Sequence, residues 1–519
     1  MYLPGIGWGL PGTVSWSQDT IAGTRTLGAV AQWPQEWKGR YPPLHYLILR
    51  AAYTPVLRHW DRTGERTVDP ETGNVSLAPP HDEKIGLLIL IARVVSVIMG
   101  IAAALGLFAA VRILTGDEIA AGLGAAAFAI GPAFTYFAHL GNVDAPSMCW
   151  FTWSLYFYAR LLNAGRTTDA VLLGLLGSLA ICTKDATAGA YPGMAIVLLA
   201  GETSRRMREE RFVPALLHAC LQPKWLAGAA AFVLPYALLY NVFLDPHSYL
   251  ERMRYWLAPD AETVHAAQHR YSNQVQLLIA AVWYAAGAVG WPLLAAMPAS
   301  ILFTLRRHSA AALAMLIPAA GHYVLVIVQI DFVYERFLFP AIALACVLVG
   351  IAGAALVRGT RIRPEVRFGL PCVIFFLTLG CATAVDLEML TDSRYAAEQW
   401  FRANVEPPSS VGAFSHPQYL PRLHEMGYAT YPVSMKRETF DVPQPEFLVL
   451  TSYNYEDFDE QQRACMTDLV TGRLGYEPVA EFQKRFLGTW SHLLSVAGWG
   501  TPIPGKISPT ISIMRRIAR

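Results

Sequence analysis

The chain has 519 residues, of which 54% are hydrophobic and 15% charged, with a formal net charge of +2. Soluble domains carry roughly 25% charged residues, so most of this length belongs to a bilayer rather than to several soluble domains. The near balance of charge gives no footprint for nucleic acid, and seven scattered cysteines without a CxxC pair exclude a disulfide framework.

Residues 1–84 read as a first extracytoplasmic segment. It opens with neither a basic n-region nor an apolar h-region, so no cleavable signal peptide is visible. Met1 to Leu10 reads as the end of a hydrophobic segment, so either a first transmembrane helix precedes Met1 or that helix is absent. The segment holds Ser15-Trp16-Ser17-Gln18-Asp19-Thr20 and Arg40-Tyr41-Pro42-Pro43-Leu44-His45. Asp19 is either a solvated loop carboxylate or a catalytic one. The Tyr-Pro-Pro run fixes backbone φ and predicts a juxtamembrane helix over 42–58.

A bilayer core takes about 20 apolar residues per helix. Candidate spans follow near 85–111, 119–139, 146–163, 169–183, 188–200, 225–244, 284–305, 310–330, 338–357 and 368–385. The pair 169–183 and 188–200 is short, and is either one broken crossing or two abbreviated ones. With ten crossings the loops alternate by charge. One set holds Arg112, Arg160, Arg166, Arg205, Arg206, Arg208, Arg211, Lys224, Arg306, Arg307, Arg358, Arg361, Arg363 and Arg367; the other holds Lys184, Arg252, Arg254, Arg270 and Arg336. The positive-inside rule makes the first set cytoplasmic and supports counting the short pair as two crossings. Residues 1–84, the loops at 139–146, 184–185 and 245–272, the turn around Arg336 and everything after 386 then share the extracytoplasmic side.

Several residues on that side are suited to chemistry. Asp144, in Asn142-Val143-Asp144-Ala145-Pro146, reads as the N-cap of the next helix, a role compatible with a catalytic one. Lys184 and Asp185 read as a local ion pair, as a helix terminator, or as a seat for an anionic head group. Arg93 is the one charge in 85–111 and either snorkels to the interface or serves function. Arg336 pairs with Glu335 or binds phosphate. His265 and His269 are spaced i,i+4, which on a helix puts both imidazoles on one face, so a divalent cation is an alternative to plain surface histidines. No Walker A loop, Rossmann fingerprint or GxSxG motif occurs. After Asp386 the charge is mixed. Phe447–Leu450 and Val411–Phe414 read as strands and Ala396–Phe401 as helix, which predicts a small α/β domain. Acceptor binding, partner docking and a passive lid are its open roles.

The order of these segments resembles the polyprenyl-phosphate-sugar-dependent GT-C glycosyltransferases, in particular the dolichyl-phosphate-mannose–protein mannosyltransferase and aminoarabinose transferase group. Gly9-Leu10-Pro11 through Gln18-Asp19 is similar to the family's opening after its first helix, and Tyr41-Pro42-Pro43-Leu44 to the start of its juxtamembrane helix. Ala92-Arg93-Val94-Val95-Ser96 resembles an Arg-Leu-Leu-Ser start. Asn142 to Pro146 falls at the second acidic motif, Leu179 to Lys184 resembles Gly-Leu-Ala-x-Leu-Thr-Lys, and Glu335 to Pro340 resembles Arg-Tyr-x-Leu-Pro. Thr20 stands where relatives often carry glutamate.

The resemblance implies an all-α polytopic membrane domain of about ten or eleven transmembrane helices over 85–386, followed by a small α/β extracytoplasmic domain over 387–519. It implies a multi-pass enzyme of the cell membrane that moves a sugar from a polyprenyl-phosphate donor to a hydroxyl of a protein, lipid or glycan acceptor, with inversion. Asp19 would be the general base and Asp144 a second catalytic carboxylate, while Arg40, Arg93, Lys184 and Arg336 would bind the donor phosphate. The rival readings are a transporter or flippase without covalent chemistry and a lipid-linked polysaccharide ligase.

Overall fold

The computed structural model describes residues 2–17, 19–21, 23–31, 33, 37, 41–68, 75–257, 271, 273–441, 445–452, 458–483 and 507–517. The first helices are α1 (Thr24–Ala31), α2 (Pro43–Thr63), α3 (His81–Thr115), α4 (Glu118–Ala129), α5 (Pro132–Ala138) and α6 (Asp144–Ala164). Then come α7 (Thr167–Thr183), α8 (Ala190–Arg206), α9 (Phe212–Cys220), α10 (Pro223–Leu239), α11 (Pro246–Leu257), α12 (Gln274–Val289), α13 (Trp291–Arg307) and α14 (Ser309–His322). The chain continues through α15 (Val328–Ile330), α16 (Phe339–Arg358), α17 (Pro364–Leu390), α18 (Ser393–Asn404) and α19 (Glu460–Val470). The strands are β1 (Arg66–Val68), β2 (Val75–Leu77), β3 (Ser410–Ala413), β4 (Ala429–Pro432), β5 (Phe447–Thr451), β6 (Tyr476–Phe482) and β7 (Ile511–Arg516). Two compact units result: Met1–Leu3 with Ile21–Ser76 and Ile91–Thr383, and Pro4–Thr20 with Leu77–Leu90 and Ala384–Arg519.

The protein is a multi-pass membrane protein. Among the described residues four helices are long and apolar enough to cross a bilayer, and up to six if each of two bent pairs is one span. The sequence count of about ten is larger because it weighed apolar runs alone; α7 and α10 are apolar but short. The segments at 169–183 and 188–200 are separate helices, α7 and α8, joined by a 3-10 turn over Asp185–Gly189.

The two bent pairs have local causes. Gly131-Pro132 divides α4 from α5 at 67°, and Gly290, at φ 80°, divides α12 from α13 at 115°, two residues before Pro292. Proline lacks the amide that would continue the ladder, and glycine admits the left-handed region. The span expected over 284–305 therefore contains a sharp break. The two breaks lie against one another: a Cβ on Gly131 would stand 2.6 Å from the Ala288 carbonyl oxygen.

In the first unit, helices approach closely through small residues, as expected where lipid offers no hydrophobic drive for association. α7 and α10 meet where a Cβ on Gly174 would run into the Gly228 backbone and one on Gly228 would come 2.8 Å from the Ala170 carbonyl oxygen. At the end of α8, Glu202 accepts from Gln222 Nε2 (2.6 Å), Arg205 Nη2 (3.0 Å) and Lys224 Nζ (3.2 Å), so α8 is tied to the start of α10 across α9. Burial opposes ionisation of Glu202, but these donors outweigh it and leave its pKa below the ordinary value.

In the second unit the sheet order is β4-β3-β5-β7-β6, with β4, β3 and β5 parallel and β7 antiparallel to both β5 and β6. β5 alternates: Phe447 and Val449 join a core with Phe401 of α18, whereas Leu448 and Leu450 join one with Leu469 of α19. Both faces are covered, which is why the run Phe-Leu-Val-Leu is uniformly apolar.

Gly174→Leu is expected to destabilise the purified protein by about 1–3 kcal/mol through overpacking. Gly122→Leu, at a site with open space, should leave thermal unfolding unchanged. Because the Glu202 pKa is depressed in the fold, its contribution is complete above the unfolded value near 4.5 and is lost as pH falls through the folded value. Acid-unfolding curves of Glu202→Gln should accordingly be flatter below about pH 5 than those of the parent.

Candidate active site

Asp144 begins α6 but does not cap it: Val143 is the N-cap and has no side chain that could accept from the first amides. The carboxylate is instead held by neighbours. Asn142 Nδ2 donates to Asp144 Oδ2 (2.7 Å), and Asn142 Oδ1 accepts from the Asp144 amide (3.1 Å). The other oxygen, Oδ1, receives Lys184 Nζ. Both side chains are buried, Asp144 at 1% exposure and Lys184 at 8%.

Lys184 reaches Asp144 because α7 ends there. Its extended backbone (φ −152°, ψ 115°) stops the helix, and Thr187 Oγ1 donates to its carbonyl (2.9 Å). Nζ also donates to the Arg336 carbonyl (3.1 Å) and stands 5.0 Å from the centre of the Phe337 ring. The guanidinium of Arg336 lies 5.8 Å from the Phe137 ring centre and 5.7 Å from that of Phe337. Phe337 is fixed in turn by its carbonyl, 2.6 Å from His322 Nε2, at the point where α14 gives way to a π-helical turn over Tyr323–Ile327. Three segments far apart in sequence thus hold one carboxylate and two cations between aromatic faces, a setting in which a phosphate would be attracted and water excluded.

The Lys184–Asp185 ion pair considered from the sequence does not form. Asp185 turns to Arg252 of α11, whose Nη2 donates at 2.6 Å, and to the Tyr240 hydroxyl. An extended residue sends successive side chains to opposite sides, so adjacent charges acquire different partners. Arg252 carried no local signal for this, lying 67 positions from its partner. Arg93 is 1% exposed, so it does not snorkel to solvent; its guanidinium is inside the protein.

Asp19 belongs to the second unit. It is 7% exposed, which overturns the solvated-loop reading. Its loop folds on itself: the Asp19 amide donates to Ser17 Oγ (3.3 Å), and the hydroxyls of Ser15 and Thr20 are 2.9 Å apart. Trp16 anchors the loop. Its ring centre lies 4.2 Å from the Arg394 guanidinium and 5.3 Å from that of Arg422, with the Tyr395 ring centroid at 4.8 Å. Asp392 accepts from Trp8 Nε1 (2.9 Å), Arg394 Nη2 (2.7 Å) and the Ser508 amide (2.9 Å), while Glu398 takes both ends of Arg422. Sequence reasoning missed this anchorage, since its partners lie almost 400 positions apart.

Arg40, His265 and His269 lie outside the described residues. Among the described residues no group of three or more His, Cys, Asp or Glu side chains is placed to hold a metal ion.

Residues 85–227 match the family model described as dolichyl-phosphate-mannose-protein mannosyltransferase. Asp144 and Lys184 lie within the matched stretch. No curated protein matches the chain. Among solved structures, apo ArnT from Cupriavidus metallidurans is 13% identical with a TM-score of 0.47, over 86% of this chain and 91% of that one. The same protein bound to undecaprenyl phosphate gives 13%, 0.47, 88% and 90%. The oligosaccharyltransferase AglB from Archaeoglobus fulgidus, in complex with an inhibitory peptide and a dolichol-phosphate, is 11% identical with a TM-score of 0.44, over 97% of this chain and 86% of that one. Over residues 85–227 the chain is therefore similar to the dolichyl-phosphate-mannose-protein mannosyltransferases.

Removing one partner of a buried ion pair strands the other charge and costs about 3–5 kcal/mol, whereas removing both is far milder. Lys184→Met should lower the thermal midpoint accordingly. Lys184→Met combined with Asp144→Asn should recover most of the loss, as read by thermal unfolding of the detergent-purified chain.

Proposed function

We propose that this protein transfers a sugar from a polyprenyl-phosphate-linked donor to an acceptor hydroxyl at the extracytoplasmic face of the cell membrane, with inversion at the anomeric carbon. The observation that carries the reading is the buried Asp144–Lys184 pair, which lies inside the stretch that matches the mannosyltransferase family model and has Arg336 beside it in space.

The chemistry needs a proton acceptor and a cationic seat for the leaving group. Asp19 takes the proton from the acceptor hydroxyl as its oxygen bonds to the anomeric carbon. The bond from that carbon to the phosphate oxygen breaks, and the electron pair leaves with the polyprenyl phosphate. Charge grows on the phosphate during this step, so fixed cations lower the barrier if they are in place beforehand. Lys184 and Arg336 supply them, each braced by aromatic rings; Arg93 and Arg40 complete the set. Asp144 keeps Lys184 oriented. Trp16, three residues before Asp19 and flanked by Arg394 and Arg422, keeps the base from wandering. The C-terminal domain contributes in this way to the base's own loop.

The test uses the purified full chain in proteoliposomes with radiolabelled polyprenyl-phosphate sugars and a panel of protein, lipid and glycan acceptors, with and without a chelator. Transfer should be detected with the parent and fall by about 100-fold to 10,000-fold in Asp19→Asn, with the melting temperature retained. Undiminished transfer in folded Asp19→Asn removes Asp19 as the base. Movement of a solute across the bilayer with no donor consumed replaces this reading with transport.

A further inference from the structure

A second feature lies apart from the Asp144–Lys184 cluster and is not needed for the transfer chemistry. A cleft of about 530 Å³ runs between α13, α16 and α17, within the range of roughly 300–1,000 Å³ typical of ligand sites. Its lining is almost wholly apolar, with small residues such as Ala296, Ala299 and Gly353 beside larger ones such as Phe303, Leu370 and Phe375. Small side chains on two of the helices leave a channel that larger ones would close. α17 forms one wall, and its apolar stretch is only 17% buried within the protein, so most of that helix is offered to lipid chains.

The rim of this cleft has the opposite character. Arg306 and Arg307 follow the lining residue Phe303 by one helical turn, and Arg367 precedes Leu370 by one turn, a rise of about 5 Å in each case. Arg361 and Arg363 lie in the link between α16 and α17. Arg358 is held by Asp117 at 2.8 Å, but among the described residues Arg306, Arg307 and Arg367 have no carboxylate within ion-pair distance. Arg306 and Arg307 are exposed. These arginines all belong to the basic set that the charge pattern assigns to the cytoplasmic side. An apolar slot ending in several uncompensated arginines asks for a molecule with a long apolar tail and a negative head.

We propose that the cleft between α13, α16 and α17 binds one anionic diacyl phospholipid, its acyl chain along Ala296, Ala299 and Gly353 and its phosphate among Arg306, Arg307 and Arg367. The site is independent of the proposed transfer reaction and is read by binding alone.

The test is native mass spectrometry of the full chain, purified in detergent, delipidated, and offered phosphatidylglycerol and phosphatidylcholine with identical acyl chains. One phosphatidylglycerol should be retained, with a preference of about five-fold or more over phosphatidylcholine and about five-fold lost per arginine removed. Arg306→Gln with Arg307→Gln should abolish the preference while leaving thermal stability unchanged, since both side chains are exposed. Ala299→Phe, which fills the slot, should lower retention of either lipid about ten-fold. Equal retention of the two lipids by the parent overturns the proposal. So does an undiminished preference in the double arginine variant, or displacement of phosphatidylglycerol by an equimolar polyprenyl phosphate.

Discussion

A charge cannot be left alone inside a protein, and the first unit is organised around that constraint at Lys184. Its ammonium lies within a few ångströms of the Asp144 carboxylate, the Arg336 carbonyl and the Phe337 ring, with little water at hand. Withdrawing the Asp144 carboxylate leaves an uncompensated ion whose desolvation amounts to several kcal/mol. The end of α7, the start of α6 and the turn before α16 are thereby fixed together, although they are 40 and 152 positions apart. Glycine contacts such as Gly174 against Gly228 serve the same end, because a pair that tolerates so little separation needs helices that do not drift.

Much of the fold can be read from local pattern. The long apolar runs around 85–111, 338–357 and 368–385 become α3, α16 and α17, and the short apolar runs at 411–414 and 447–450 become β3 and β5. Proline punctuation put the start of the juxtamembrane helix at 42, one residue before α2 begins at Pro43. What local pattern does not carry is partner choice. Lys184 and Asp185 look like each other's counter-ions, yet backbone extension separates them, and their true partners come from α6 and α11. The sheet is a stronger case: β7, the last strand, inserts between β5 and β6, an order decided by long-range pairing that neither strand's composition reveals. The break at Gly290-Trp291-Pro292, by contrast, had a visible signal that averaging over an apolar window conceals.

The N-terminal segment changes meaning once its packing is known. A reading by polarity treats residues 1–84 as one outer stretch. Pro4–Thr20 instead shares a compact unit with the C-terminal sheet, through Trp8 on Asp392 and Trp16 between Arg394 and Arg422. A cation against an indole contributes about 0.5–2 kcal/mol depending on desolvation, and two of them on one ring make a rigid mount for a short loop. The small domain after residue 386 is therefore the scaffold on which the segment bearing Asp19 is built.

The two helix breaks at Gly131 and Gly290 have a consequence for inheritance. Non-helical backbone in a bilayer persists only where protein shields it, and here Gly131 is pressed on the carbonyl of Ala288 while Gly290 faces Thr378 and Cys381 of α17. A side chain at Gly131 would press on the backbone two residues before the second break. A lineage that enlarges residue 131 must therefore move the backbone around Ala288 as well, so the first kink constrains what the second can become.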